Sequence, residues 1–167
     1  MIWFEVDYFS KIGHSYFTFC TIFVIILLKI KKKVENGGNI VKNCTLQITS
    51  TVDGQENVFS TKGKIDLSVE NPKICYWEEN SVVRLTFQGE TARVEREGDY
   101  SLKINLERDV MQKGSLGIGG QEGEICAYAH KVTYTISENS LLALLHYDLW
   151  IGGEPQQMQL RVLARTI

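Results

Sequence analysis

The sequence predicts an all-β domain over residues 41–167, a closed antiparallel barrel of about eight to ten strands. Apolar residues alternate with polar ones at a period of two, the mark of strands with one buried face. Turn signals separate these alternating runs at regular spacing, as in a sandwich or barrel. No stretch after Val41 carries a convincing helical pattern.

The first strand holds Cys44, Leu46, Ile48 and Val52 on one parity and Thr45, Gln47, Thr49 and Thr51 on the other. Asp53-Gly54 follows, a strong hairpin signal. The next strand runs from about Glu56 to Val69 with Phe59, Ile65, Leu67 and Val69 on one parity, and Gly63 inside it predicts a bulge or a sharp bend. Asn71-Pro72 ends it. Ile74–Trp77 forms a short strand turned by Glu79-Asn80. Val83, Leu85 and Phe87 then alternate up to Gln88-Gly89-Glu90. Thr91–Arg96 leads to the turn Glu97-Gly98-Asp99, and Leu102, Ile104 and Leu106 alternate after it. Met111–Glu124, with five glycines, reads either as a flexible loop or as a pair of strongly bent strands. Val132, Tyr134 and Ile136 alternate before the turn Ser137-Glu138-Asn139. Leu141–Ile151 follows. Its Leu-Leu-Ala-Leu-Leu start has helix-forming composition, but its place between two turns argues for a strand. Gly152-Gly153-Glu154-Pro155 then leads to Met158, Leu160 and Val162.

Of the residues in the chain, 44% are hydrophobic and 23% charged, ordinary values for a globular protein. From residue 42 onward there are 13 basic and 17 acidic side chains. A mildly acidic domain without a Lys/Arg concentration does not suit a nucleic-acid partner, because neutralising phosphates drives that affinity. The cysteines Cys20, Cys44, Cys75 and Cys126 form no CxxC pair, so a zinc ribbon or thioredoxin-type motif is absent. They read as buried free thiols in a reducing compartment.

Residues 1–40 differ in kind. Tyr16–Leu28 is thirteen residues without a charge, and extending back to Ile12 gives seventeen. A spanning helix needs about 20 residues, with about 17 as a lower limit. Lys29, Lys31, Lys32 and Lys33 follow the run, which is the wrong order for a cleaved signal peptide. Two readings result. In one, residues 12–28 form a single transmembrane helix, the lysines lie on the cytoplasmic side, and so does the β domain. In the other, preferred here, residues 1–40 are a mis-translated leader and translation starts at Val41. The codons of Gly37-Gly38 permit a ribosome-binding core, GTG at Val41 is an alternative start, and the β pattern begins there.

Ile48-Thr-Ser-Thr-Val-Asp-Gly-Gln-Glu56 resembles the start of an uncharacterised bacterial family known as DUF1934, the YwiB-like proteins. The ending Tyr147-Asp-Leu-Trp-Ile-Gly-Gly-Glu154, followed by an alternating last strand, resembles the same family, and the resemblance as a whole covers about residues 42–165. The resemblance implies a calycin-like, lipocalin-resembling β-barrel of unknown function. Around Gly117–Glu124 the chain departs from the Tyr/Thr/Pro/Tyr-Gly pattern of the family.

No Ser-His-Asp or Cys-His signature, P-loop or dinucleotide fingerprint appears, so no catalytic residue and no cofactor is expected. Gly117–Gly123 reads as a loop, since no helix follows to present its amides to phosphate. Cys126 and His130 share one strand face, and His146 and Asp148 share another. Were those faces to meet inside a barrel, the four could bind zinc. The competing reading is a buried thiol, a rim histidine and an unrelated surface pair. Glu78, Glu79, Glu95, Glu97 and Asp99 read as solvated hairpin charges. The aromatics Tyr76, Trp77, Phe87, Tyr100, Tyr128, Tyr134, Tyr147 and Trp150 are spread over most strands. Inward ones fill a small barrel or line a pocket, with Tyr76, Phe87, Tyr134 and Trp150 as candidates. Two functions follow: a cytoplasmic barrel binding a small, partly apolar molecule, or a structural or protein-interaction barrel whose interior is filled by side chains.

Overall fold

The structure, a computed structural model, describes residues 40–167. The expected membrane span at 12–28 and Cys20 therefore lie outside the described residues, and nothing in the described residues bears on a start at Val41. Among the described residues no helix is long and apolar enough to cross a membrane.

Ten strands run in chain order: β1 (Val41–Val52), β2 (Gln55–Asp66), β3 (Lys73–Glu78), β4 (Ser81–Gln88), β5 (Thr91–Glu97), β6 (Tyr100–Glu107), β7 (Met111–Ile118), β8 (Gln121–Ser137), β9 (Ser140–Trp150) and β10 (Pro155–Thr166). Each pairs antiparallel with its sequence neighbours, and β1 pairs with β10 to close the barrel. Closure leaves no edge along β1 or β10, which is how small β proteins avoid unpaired backbone groups. The closing ladder runs from Cys44 opposite Thr166 to Val52 opposite Met158.

The alternation read from the sequence decides which face is inside. In β4 the odd residues from Ser81 to Phe87 are buried and the even ones are not. Twenty-four apolar side chains form one core, with Phe87, Leu85, Ile65, Leu141, Val162 and Ala164 fully enclosed. Phe87 packs against Tyr134 at 5.2 Å between ring centres, and Phe59 against Tyr76 at 6.5 Å. Each enclosed Leu, Ile or Phe contributes about 1.5–3 kcal/mol through apolar burial.

Three sequence expectations change. Gly63 makes no bulge, because the β1–β2 register runs through it without a shift. A Cβ at Gly63 would sit 2.4 Å from the Cys75 carbonyl oxygen, so glycine is there for the close approach of β3. Gly117–Gly123 is not a loop. It belongs to a hairpin of β7 and β8, turned at Gly119 (φ +60°) and Gly120 (φ +83°). The thiols also divide: Cys44 is buried, whereas Cys75 and Cys126 are half-buried.

Candidate functional site: the tyrosine-lined mouth

One end of the barrel gathers the turns at Asp53-Gly54, Glu79-Asn80, Gly98-Asp99, Gly119-Gly120 and Gly152-Gly153. The other end holds the remaining turns together with Val41 and Thr166. At the first end β2 is paired with β3 only over Gly63–Asp66, so the β1–β2 hairpin stands as a wall beyond it. The inner face there is not fully covered. Phe59, Leu102, Leu116, Met158 and Leu160 pack on the core yet stay partly exposed. They make an apolar rim.

Inside that rim lies a polar group. Arg96 and Glu78 take inward positions, since Arg96 follows the parity of the buried Ala92 and Val94, and Glu78 that of Ile74 and Tyr76. Arg96 Nη1 donates to Glu78 Oε2 across the intervening β4. The guanidinium lies 4.4 Å from the centre of the Tyr100 ring, a cation–π contact that orients it. Among the described residues its buried Nε has no hydrogen-bond partner, and neither has Ser81 Oγ, which lies against Gly98. Glu78 is thus an inward, ion-paired carboxylate and not a solvated hairpin charge.

Tyr76 and Tyr147 complete the site. Both residues are 4% exposed. Burial is the main cause that raises the Tyr76 phenol well above its usual range, with the Glu78 carboxylate adding to it. Burial likewise pushes the Tyr147 phenol up to about 12, with Tyr100 nearby as a lesser cause. These two remain neutral donors at any physiological pH. Three phenols and an Arg–Glu pair therefore share one end of the interior, under an apolar rim.

Of the candidate aromatics, Tyr76, Phe87 and Tyr134 face inward, the last two in the closed half of the core. Trp150 does not: it occupies an outward, half-buried position paired with Cys126 and Pro155. Tyr147, Tyr100 and Arg96 carry the site together with Tyr76. Arg96 shares the parity of Val94, which places it inside, although its charge reads in the sequence as that of an outward residue.

The candidate metal cluster is not inside the barrel. Cys126, His130, His146 and Asp148 all occupy outward positions, opposite in parity to the buried Ala127, Ala129, Leu145 and Tyr147. A register shift between Ala129 and Lys131 makes His130 the extra residue of a β-bulge. That bulge sets His130 Nε2 2.9 Å from Asp148 Oδ2 and its ring 4.9 Å from the His146 ring. Cys126 stands away from them, opposite Trp150. Among the described residues no three His, Cys, Asp or Glu side chains are placed to hold a metal ion.

Fold and site define a closed ten-stranded meander barrel with one apolar core and, towards one end of its interior, a polar group of Tyr76, Tyr147, Arg96 and Glu78. The crystal structure of YwiB from Bacillus subtilis is similar to this chain, with a TM-score of 0.66 at 16% sequence identity. The match covers 76% of this chain and 93% of that one. The likeness is one of fold, the fold that the resemblance to YwiB-like proteins implies. No family model and no curated protein matches the chain.

Proposed function

We propose that the protein is a non-catalytic binding barrel that takes a small, partly apolar molecule at the tyrosine-lined mouth. The observation that carries this reading is a set of inward polar groups without partners among the described residues, Arg96 Nε and Ser81 Oγ, beside the Tyr76 and Tyr147 phenols and an incompletely covered apolar rim. Buried polar groups normally find partners, and a ligand head group is one way to supply them. The apolar part of the ligand rests against Phe59, Met158 and Leu160, and its polar head meets Arg96 and the phenols. Nothing at the site offers an activated nucleophile, which supports binding over turnover. We also place the domain in the cytoplasm; on the anchored reading, the lysines that follow the apolar N-terminal run lie on that side together with it.

A second reading has its own support. The enclosed side chains form one core that includes Tyr76 and Tyr147 themselves, as expected of a structural or protein-interaction barrel. Native mass spectrometry of the protein from its own host separates the two. Binding predicts a co-purifying small molecule whose occupancy drops in Arg96→Leu and Tyr147→Phe. A bare mass for the wild type, with a protein partner retained, favours the second reading.

A further inference from the structure

A separate site lies on the outer surface, where β8, β9, β10, β1 and β2 run side by side. The registers place Lys131 opposite His146, His146 opposite Gln159, Gln159 opposite Thr51, and Thr51 opposite Glu56. These five residues form one row across five strands, and Arg161 stands two residues along from Gln159 on the same face. At about 4.8 Å per strand, the row from Lys131 to Glu56 spans roughly 19 Å. A groove of about 510 Å³ follows it, with these six residues in its lining.

The chemistry of the row is one-sided. Lys131, His146, Gln159, Arg161 and Thr51 can all donate hydrogen bonds, and Glu56 is the groove's one carboxylate. Neither Lys131 nor Arg161 has a carboxylate partner among the described residues, whereas Arg84, Arg93, Arg96 and Arg108 are all ion-paired. The nearby Asp148 lies outside the groove's lining and is hydrogen-bonded to His130 through Oδ2. The bulge in β8 matters here: it makes His130 and Lys131 consecutive exposed residues, one held to Asp148 and the other free to face the groove.

We propose that this groove binds a small organic phosphate. Its phosphoryl oxygens take the Lys131, His146 and Arg161 donors, and the hydroxyl groups of its body lie along Gln159 and Thr51 towards Glu56. Arg and Lys donors to phosphate oxygens are charge-assisted and are the strong members of such a set. The carboxylate at the far end accepts from a ligand hydroxyl, so a phosphate ester of a polyol fits better than inorganic phosphate.

Amide NMR titrations of the full chain with glycerol 3-phosphate and with inorganic phosphate test this. Glycerol 3-phosphate should shift the amides of β8, β9 and β10 along the row and bind more tightly than inorganic phosphate. Arg161→Gln and Lys131→Gln should each weaken it roughly tenfold, the loss of a hydrogen bond between charged groups. Glu56→Gln should remove the preference over inorganic phosphate. Arg165→Gln is the control, since Arg165 also lacks an ion pair among the described residues but lies outside the groove. It should change affinity by less than about twofold, as expected for screened surface charge. The proposal is overturned if no shifts follow the row, if Arg165→Gln weakens binding as much as Arg161→Gln, or if Glu56→Gln leaves the preference intact. The unperturbed resonances in the same spectra report whether each variant is folded.

Discussion

Tyr147 shows how one side chain couples the mouth to stability. Its ordinary phenol value is 10, and burial in the fold raises it to about 12. The neutral phenol is therefore the form the fold retains. Because the folded value lies above the unfolded one, the unfolded chain loses its proton first as pH rises. Full stability is present below pH 10 and is lost between pH 10 and 12, by an amount on the order of 2 kcal/mol. Tyr76 shifts in the same direction. Denaturant midpoints followed across the alkaline range should fall for the wild type and fall less for Tyr147→Phe. Identical curves for the two proteins would contradict this role. Gly63 limits the structure in a different way. A methyl group there would meet the Cys75 carbonyl oxygen at 2.4 Å and Leu46 Cδ1 at 2.8 Å, and the carbonyl cannot rotate away like a flexible side chain. Gly63→Ala should lower stability by about 1–3 kcal/mol, the usual penalty for overpacking, read from the shift in urea midpoint. A neutral result would mean that β2 and β3 separate more easily than their register suggests.

Strands announced themselves in the sequence where one face is buried and the other wet. β4, β6 and β10 are of this kind, and their alternation is visible in Val83, Leu85 and Phe87 or in Met158, Leu160 and Val162. β9 was ambiguous for a physical reason. Its outward Leu142 and Leu144 are themselves half-buried, so both faces are apolar and the period of two is blurred. β7 and the start of β8 were obscured by glycine, which carries no hydrophobic signal. Gly114 is required by close approach, since a Cβ there would lie 2.5 Å from the Lys103 carbonyl oxygen. The sites were less legible than the strands. His146 and Asp148 share a face as their spacing demands, but the side they occupy depends on parity with Leu145 and Tyr147. The bulge at His130, which brings it to Asp148, leaves no mark in residue types. The pairing of Glu78 with Arg96 links two strands that flank a third, and nothing in local sequence reports such a contact.

Nine of the ten strand pairings join neighbours along the chain through short turns, and the tenth, between β1 and β10, joins its two ends. The nine hairpin contacts form locally, whereas the tenth requires nearly the whole domain to be in place, so closure carries most of the loop entropy. The hydrogen bond from Ile167 N to Asn43 O and the pair between Asp53 and Gln157 mark the two ends of this closing seam. If closure makes the barrel one cooperative unit, the seam cannot be removed piecemeal. Ending the chain after Pro155 strips β10 from β1 and β9 together and takes Val162 and Ala164, both fully enclosed, out of the core. It also exposes Leu46, Ile48, Leu141 and Ala143 along two unpaired strands, an arrangement prone to edge-to-edge association. The truncated chain should lose its cooperative thermal transition in circular dichroism and sediment as aggregates. A chain lacking only Ile167, which is 74% exposed and adds a single backbone hydrogen bond to the seam, should keep the cooperative transition. Adding a peptide of residues 155–167 in trans should recover a soluble species, because the vacant position offers two strand edges and the pockets for Leu160, Val162 and Ala164. A truncated protein that stays monomeric and melts cooperatively without the peptide would show that the sheet holds its curvature without closure, and the mouth would then have to be treated as the open end of a sheet, not of a barrel.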